Sequence, residues 1–245
     1  MSDSRRDCLG RWRFFWVAAW LWYTRGLGQK LAGTRFSPRE AVGITAHIVS
    51  LPGFWVLAVS AIIVNSVNYY LADWVPLYLK TSRGFSFAAG NVLSTAVYAG
   101  SWVGSVLVGL WVRKLVAWGV ALSSAKKWAL FLSCILMFSA VVAGLTPYPY
   151  MAVGCLALTG MGMAGFMVIY LTLAQDLDPA HVGVTCGLLG GLGNLVYGYL
   201  SPYIGRLADL KQSFLTLILI GCLPWLAFLA IYWGIKDSKA SIAPN

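Results

Sequence analysis

The chain has 245 residues, 59% of them hydrophobic and only 11% charged, against roughly 25% charged in an average soluble domain. Too few polar side chains remain to coat a water-soluble globule, whereas 12 tryptophans and 12 tyrosines suit a protein anchored at two lipid–water interfaces. The net charge of +10 does not signal nucleic acid, because the Lys and Arg residues lie between apolar runs and form no basic face.

Arg5, Arg6, Arg11 and Arg13 precede or open an aromatic run over residues 12–23. It is shorter than the about 20 apolar residues of a span, and no small-residue cleavage site follows it. An interfacial helix, or the end of a longer span, is the expectation. Six long apolar runs come after residue 50: 51–79, 85–112, 128–145, 151–174, 182–204 and 214–235. Each crosses a hydrocarbon core of about 30 Å at 1.5 Å per residue, the third only just. Barrel strands would be about ten residues long and alternate in polarity, which these runs do not. The fold expected is an all-α membrane protein. Residues 1–50 form a partial or interfacial helix and a basic cytoplasmic loop, 51–236 a six-helix bundle, and 237–245 a cytoplasmic tail.

If the six runs alternate, Arg25, Lys30, Arg35, Arg39, Arg113, Lys114, Lys126, Lys127, Lys236 and Lys239 fall on one side. The other side receives only Lys80, Arg83, Arg206 and Lys211. The richer side is expected to be cytoplasmic, carboxyl terminus included. The runs also group as three plus three, with a glycine-rich middle member in each trio (85–112 and 182–204), a plan common among transporters built from inverted repeats.

Asp73 is the only carboxylate embedded in an apolar run. Four-residue spacing places Asn65, Tyr69 and Asp73 on one helix stripe, with Asn68 beside it. Such a stripe is costly against lipid and belongs at a protein interior or wet cavity. Asp73 reads either as a substrate or proton contact, or as an interfacial carboxylate hydrated next to Trp74. The run 182–204 carries Gly183, Gly187, Gly191, Asn194 and Gly198 near one face. Close helix packing is the reading for the glycines; Asn194 either bonds a neighbouring helix or binds a ligand in a central cavity.

Catalytic constellations are missing. His47 and His181, the only histidines, lie in or near polar segments, and Ser101 follows Gly100 without a G-x-S-x-G spacing or a membrane histidine as base. There is no HExxH, P-loop or strand-to-helix GxGxxG. The five cysteines (Cys8, Cys134, Cys155, Cys186 and Cys222) are scattered, without CxxC or a Cys/His cluster. No enzyme activity, cofactor or metal is expected.

Two stretches resemble a known family. Asp73-Trp74-Val75-Pro76-Leu77-Tyr78-Leu79, followed by Arg83-Gly84-Phe85-Ser86, resembles the end of the seventh helix of major facilitator superfamily transporters, most nearly the anion:cation symporters of hexuronates, sugar acids and sialic acid. Asp176-Leu177-Asp178-Pro179, then Gly183, Gly187, Gly193-Asn194, Pro202, Gly205 and Asp209, is similar to the join of the tenth and eleventh helices and the end of the eleventh. Trp12-Arg13-Phe14 resembles the start of the sixth helix, and Ser37-Pro38-Arg39-Glu40 the central cytoplasmic loop. In the gating loop between eighth and ninth helices, Gly109, Leu115 and Gly119 fit, as do Lys126 and Lys127. The acidic position holds Arg113, followed by Lys114, and the paired arginines are replaced by Ala117 and Trp118.

The resemblance implies the second half of a twelve-helix fold, with a 3+3 inverted repeat. It implies a multi-pass protein of the inner or plasma membrane that moves a small organic anion by alternating access. Drive would come from H+ or Na+, and the partner would be the family's first half or another copy of the chain. Coupling carboxylates and the anion-binding arginine belong to that first half. Asn65, Asn68, Tyr69, Asp73, Tyr170 and Asn194 are the substrate-site candidates, and Gly109, Arg113, Lys114, Lys126 and Lys127 the gating-loop candidates. The competing expectation is a six-helix membrane protein that does not transport alone: a truncated remnant, or a half that works only with a partner.

Overall fold

The computed structural model describes residues 19–20, 22–23, 37–209 and 213–235, which fall into two compact units, 1–44 and 45–245. Most of the amino-terminal aromatic run, the basic residues Arg25, Lys30 and Arg35, Lys211 and the tail after residue 235 lie outside the described residues. In the first unit residues 19–20 and 22–23 are helical, with Trp20, Trp22 and Tyr23 exposed.

Every described element is an α-helix. The segment read as loop at Ser37-Pro38-Arg39-Glu40 instead starts α1 (Pro38–Ser50). The reason is a capping box: the Glu40 amide donates to Ser37 Oγ (3.2 Å) and the Ser37 amide to Glu40 Oε2 (2.7 Å), satisfying two donors the helix start would leave open.

The run 51–79 is two helices, α2 (Pro52–Asp73) and α3 (Val75–Arg83), separated at Trp74. Pro76 sits in the first turn of α3, where its missing N–H is no loss. Gly84, at φ 72°, ends α3 in the left-handed conformation that a Cβ disfavours. Next come α4 (Phe87–Ala117) and α5 (Leu122–Leu145), then α6 (Pro149–Leu177), α7 (Val182–Asp209) and α8 (Ser213–Gly234). Five helices among the described residues have both the length and the apolarity of a span: α2, α4, α5, α6 and residues 214–234 of α8. α7 has the length of a sixth span but a more polar composition. Its glycines, Asn194 and tyrosines leave its 28 residues outside that apolar group.

The packing has a swapped pattern. In the trios α2–α4–α5 and α6–α7–α8, the first helix of each packs on the second of the other (α2 on α7, α6 on α4). The third packs on the first of the other (α5 on α6, α8 on α2), and the two third helices meet. This exchange of partners is the pattern that a pseudo-two-fold relation between the trios would give. The core runs along α2 and α6, where Phe54, Leu57, Val64, Leu156 and Phe166 are at most 1% exposed.

Packing glycines sit elsewhere than expected. A Cβ built on Gly183, Gly187, Gly191 or Gly198 meets no atom within 4 Å, so this stripe makes no close helix contact. The close approach is between α4 and α6. A Cβ on Gly100 would stand 2.2 Å from the Ala157 carbonyl oxygen, and one on Gly104 2.1 Å from that of Met161. Gly100 and Gly104 form a literal GxxxG, which lets backbones touch and gain dispersion contact where lipid leaves no hydrophobic drive for association. From the opposite helix Gly160 faces the Val97 carbonyl.

Candidate functional site: a polar stripe between α2 and α7

The stripe inferred on α2 turns toward α7. Asn65, 8% exposed, donates Nδ2 to the carbonyl of Ala61 one turn back (2.8 Å) and lies over Gly193 of α7. A Cβ on Gly193 would come within 2.6 Å of that amide nitrogen, so glycine makes room for it. One turn on, the Tyr69 ring stacks on Tyr197 of α7, centroids 4.8 Å apart at 22°. A further turn on, the Tyr197 hydroxyl donates to Asp73 Oδ2 (2.9 Å). The i, i+4, i+8 residues of α2 thus meet the i, i+4 pair Gly193 and Tyr197 of α7.

Asp73 is the last residue of α2, where the helix dipole disfavours a negative charge. Its side chain is exposed, and Tyr197 holds one of its oxygens. Asn68 is half-buried beside the stripe. Tyr170, 2% exposed, lies on α6, and no hydrogen bond ties it to the stripe. Asn194 is exposed on α7, turned away from its buried neighbour Gly193. Three of the six expected residues therefore line one seam, Asn68 adjoins it, and Tyr170 and Asn194 lie apart. Tyr197 was missed because it reads as one of several interfacial tyrosines; its four-residue offset from Gly193 was the available signal.

Ion pairs and charge-assisted bonds hold the two ends of the bundle. At the end where α3 meets the α5–α6 turn, Arg83 Nε donates to the Tyr78 hydroxyl (2.7 Å) and Nη1 to the Thr146 carbonyl (2.6 Å). Its Nη2 donates to the carbonyls of Ala143 and Gly144, and Tyr78 donates to the Ala143 carbonyl (3.0 Å). Arg83 thus caps the carboxyl end of α5, satisfying carbonyls the helix leaves open and complementing its dipole.

At the opposite end, Lys126 pairs with Asp176 at the end of α6 (2.5 Å). This pair joins the start of α5 to the last turn of α6. Lys114 lies over the Trp118 ring (4.7 Å) and Lys127 over Tyr232 (5.3 Å). Gly109 and Arg113 are exposed on α4, and nothing lies within 4 Å of a Cβ on Gly109. In the α6–α7 connection His181 Nδ1 is 2.9 Å from Asp178 Oδ2. This hydrogen bond holds the Asp178 carboxyl below its ordinary range.

Ser101 donates its hydroxyl to the Val97 and Gly160 carbonyls (3.0 and 3.1 Å), so it serves the α4–α6 contact and is not poised as a nucleophile. Among the described residues no three His, Cys, Asp or Glu side chains form a group able to hold a metal ion.

Residues 14–198 match the model of the Major Facilitator Superfamily. The probable galactarate/D-glucarate transporter GarP of Escherichia coli K12 is 24% identical over 181 residues, 72% of this chain and 40% of that protein. The D-galactonate transporter of Escherichia coli O6:H1 is 29% identical over 58% of this chain and 35% of its own length. Human sialin is 22% identical over 78% of this chain and 42% of its own. The chain spans about two fifths of the length of curated relatives such as GarP and sialin.

Proposed function

Because the chain belongs to the Major Facilitator Superfamily, we propose that it serves as the carboxyl-terminal six-helix half of a secondary transporter for a small organic anion of the sugar-acid type. The observation that carries the reading is the seam of Asn65, Tyr69 and Asp73 with Tyr197, a line of amide, phenol and carboxylate groups between α2 and α7. Amides and phenols suit a polyhydroxylated acid, since each donates to or accepts from hydroxyl groups without fixing a charge. Asn194 supports a partner surface: an exposed amide on a membrane helix is costly against lipid and belongs against a second half or a water-filled cavity.

The transport cycle is alternating access, with this half rocking against its partner about a site near the midplane. The partner is the family's first half or a second copy of the chain, and H+ or Na+ drives the cycle. The chain sits in the inner or plasma membrane with the Arg113–Lys127 end and the carboxyl terminus in the cytoplasm, where excess Lys and Arg belong. Lys126 and Asp176 tie that end, and Arg83 the other, so that the half moves as one body.

Uptake of labelled galactarate and galactonate into cells carrying the complete transporter tests the reading. Asn65→Ala and Tyr197→Phe are expected to lower uptake at least tenfold at unchanged membrane abundance, and Asn194→Ala to lower it as well. Wild-type rates in all three variants would sink the site, and no uptake of any sugar acid by the wild type would sink the substrate class.

A further inference from the structure

Apart from the polar seam, the bundle carries a recess lined by α4, α5 and α6. It is a cleft of about 290 Å³, walled by Leu107, Leu110, Trp111, Leu132 and Leu136 and floored by Gly104 and Gly165. Its floor exists because α4 and α6 touch through glycines, leaving no side chains to fill the valley on that side. Ser133 also lines it, but its hydroxyl is already donated to the Ala129 carbonyl (2.9 Å). The single charged group on its walls is Lys114, at one end.

We propose that this cleft binds one phospholipid with an anionic headgroup, its acyl chain lying in the cleft and its phosphate on Lys114. Three features fit this occupant. Gly104 and Lys114 are ten residues apart on α4, about 15 Å at the helical rise, which is half of an about 30 Å hydrocarbon core and so the depth of one leaflet. Trp111 and Trp118, both exposed, flank the lysine at the level where indole rings meet headgroups. The charge is complementary: Arg113 adjoins Lys114, no carboxylate lines the cleft, and Asp176 at this end is engaged by Lys126. A basic pocket between spans, with an apolar trough beneath it, selects an anionic lipid over a zwitterionic one.

The full chain, reconstituted in vesicles of equal phosphatidylglycerol and phosphatidylcholine and then released into mild detergent for native mass spectrometry, reads the site directly. The wild type is expected to retain one phosphatidylglycerol in preference to phosphatidylcholine. Lys114→Gln, a change at an exposed side chain, is expected to lower that preference about fivefold, the effect of one lysine near a charged membrane surface. Leu132→Trp fills the trough and is expected to abolish retention of either lipid. Leu110→Trp serves the same purpose should Leu132→Trp fail to fold, as judged by its melting curve. Equal retention of the two lipids by the wild type would overturn the proposal, as would an unchanged preference in Lys114→Gln. A protein complex in place of the lipid adduct, lost in Leu132→Trp, would also overturn it by assigning the trough to another helix.

Discussion

Arg83 offers the sharpest test of how the bundle is held. Its guanidinium serves the carbonyls of Ala143, Gly144 and Thr146 and the Tyr78 hydroxyl, in a half-buried position. A hydrogen bond from a charged donor is worth about 1.5–3 kcal/mol, but the four share one side chain and are not additive. Water replaces part of what Arg83→Ala removes, so the expected loss is about 2–3 kcal/mol, including the favourable charge at the α5 terminus. For a chain of this size that is a fall in Tm of about 4–12 °C. Arg83→Lys keeps the charge but not the planar fork, and recovers less than half of the loss. Tyr78→Phe removes one donor to Ala143 and one acceptor for Nε, and costs about 1 kcal/mol. Thermal unfolding of the detergent-solubilised protein, followed by intrinsic fluorescence, measures all three, and the double variant is expected to lose less than the sum of the singles. An Arg83→Lys protein as stable as wild type, or an Arg83→Ala loss under about 0.5 kcal/mol, would refute the assignment of Arg83 as the cap of α5.

Further outcomes follow from the same geometry. Gly104→Ala drives a Cβ into the Met161 carbonyl and is expected to destabilise by at least about 2 kcal/mol, whereas Gly187→Ala, with open space around it, is expected to be neutral or to stabilise by up to about 1 kcal/mol; paired melting curves decide. Lys126 pairs with a carboxylate that is 63% exposed, so Lys126→Gln is expected to cost under about 1 kcal/mol, and exchanging the charges in Lys126→Asp/Asp176→Lys to restore most of it. Asp178 has a folded pKa below the ordinary 3.8, from the His181 hydrogen bond. Its contribution is therefore fully present above the unfolded value and is lost as pH falls through the folded one. The stability gap between wild type and Asp178→Asn is expected to close as pH falls below about 4; a gap unchanged between about pH 5 and pH 3 would contradict it.

The helices were legible because a bilayer demands long apolar runs with every backbone group bonded within the segment. The stripe Asn65–Tyr69–Asp73 was legible for a related reason: polar groups at helical spacing inside such a run must find a protein face. Legibility failed where two helices had to be known at once. Gly183, Gly187 and Gly191 have the spacing of a packing face, yet α7 presents them outward, while Gly100 and Gly104, lost in a longer apolar run, take the close contact with α6. Tyr197 and Asp176 gain meaning only from Asp73 and Lys126, which lie 124 and 50 residues away along the chain. The helical start at Ser37 was written in its S-x-x-E spacing, but that signal is local and was outweighed by the polar character of the segment.

The α4–α6 and α2–α7 crossings of the bundle are built from different materials. At the α4–α6 crossing the backbones themselves meet, glycine against carbonyl. Sliding there would force peptide planes over one another, so the joint behaves as a weld. At the α2–α7 crossing Gly193 also faces a backbone carbonyl, that of Ala61, but an amide, two phenol rings and a carboxylate extend the contact. Such groups exchange partners by rotating a side chain, which costs far less than moving a helix. Side-chain rotation can thus rearrange the α2–α7 contact, whereas the α4–α6 contact changes only if a backbone moves.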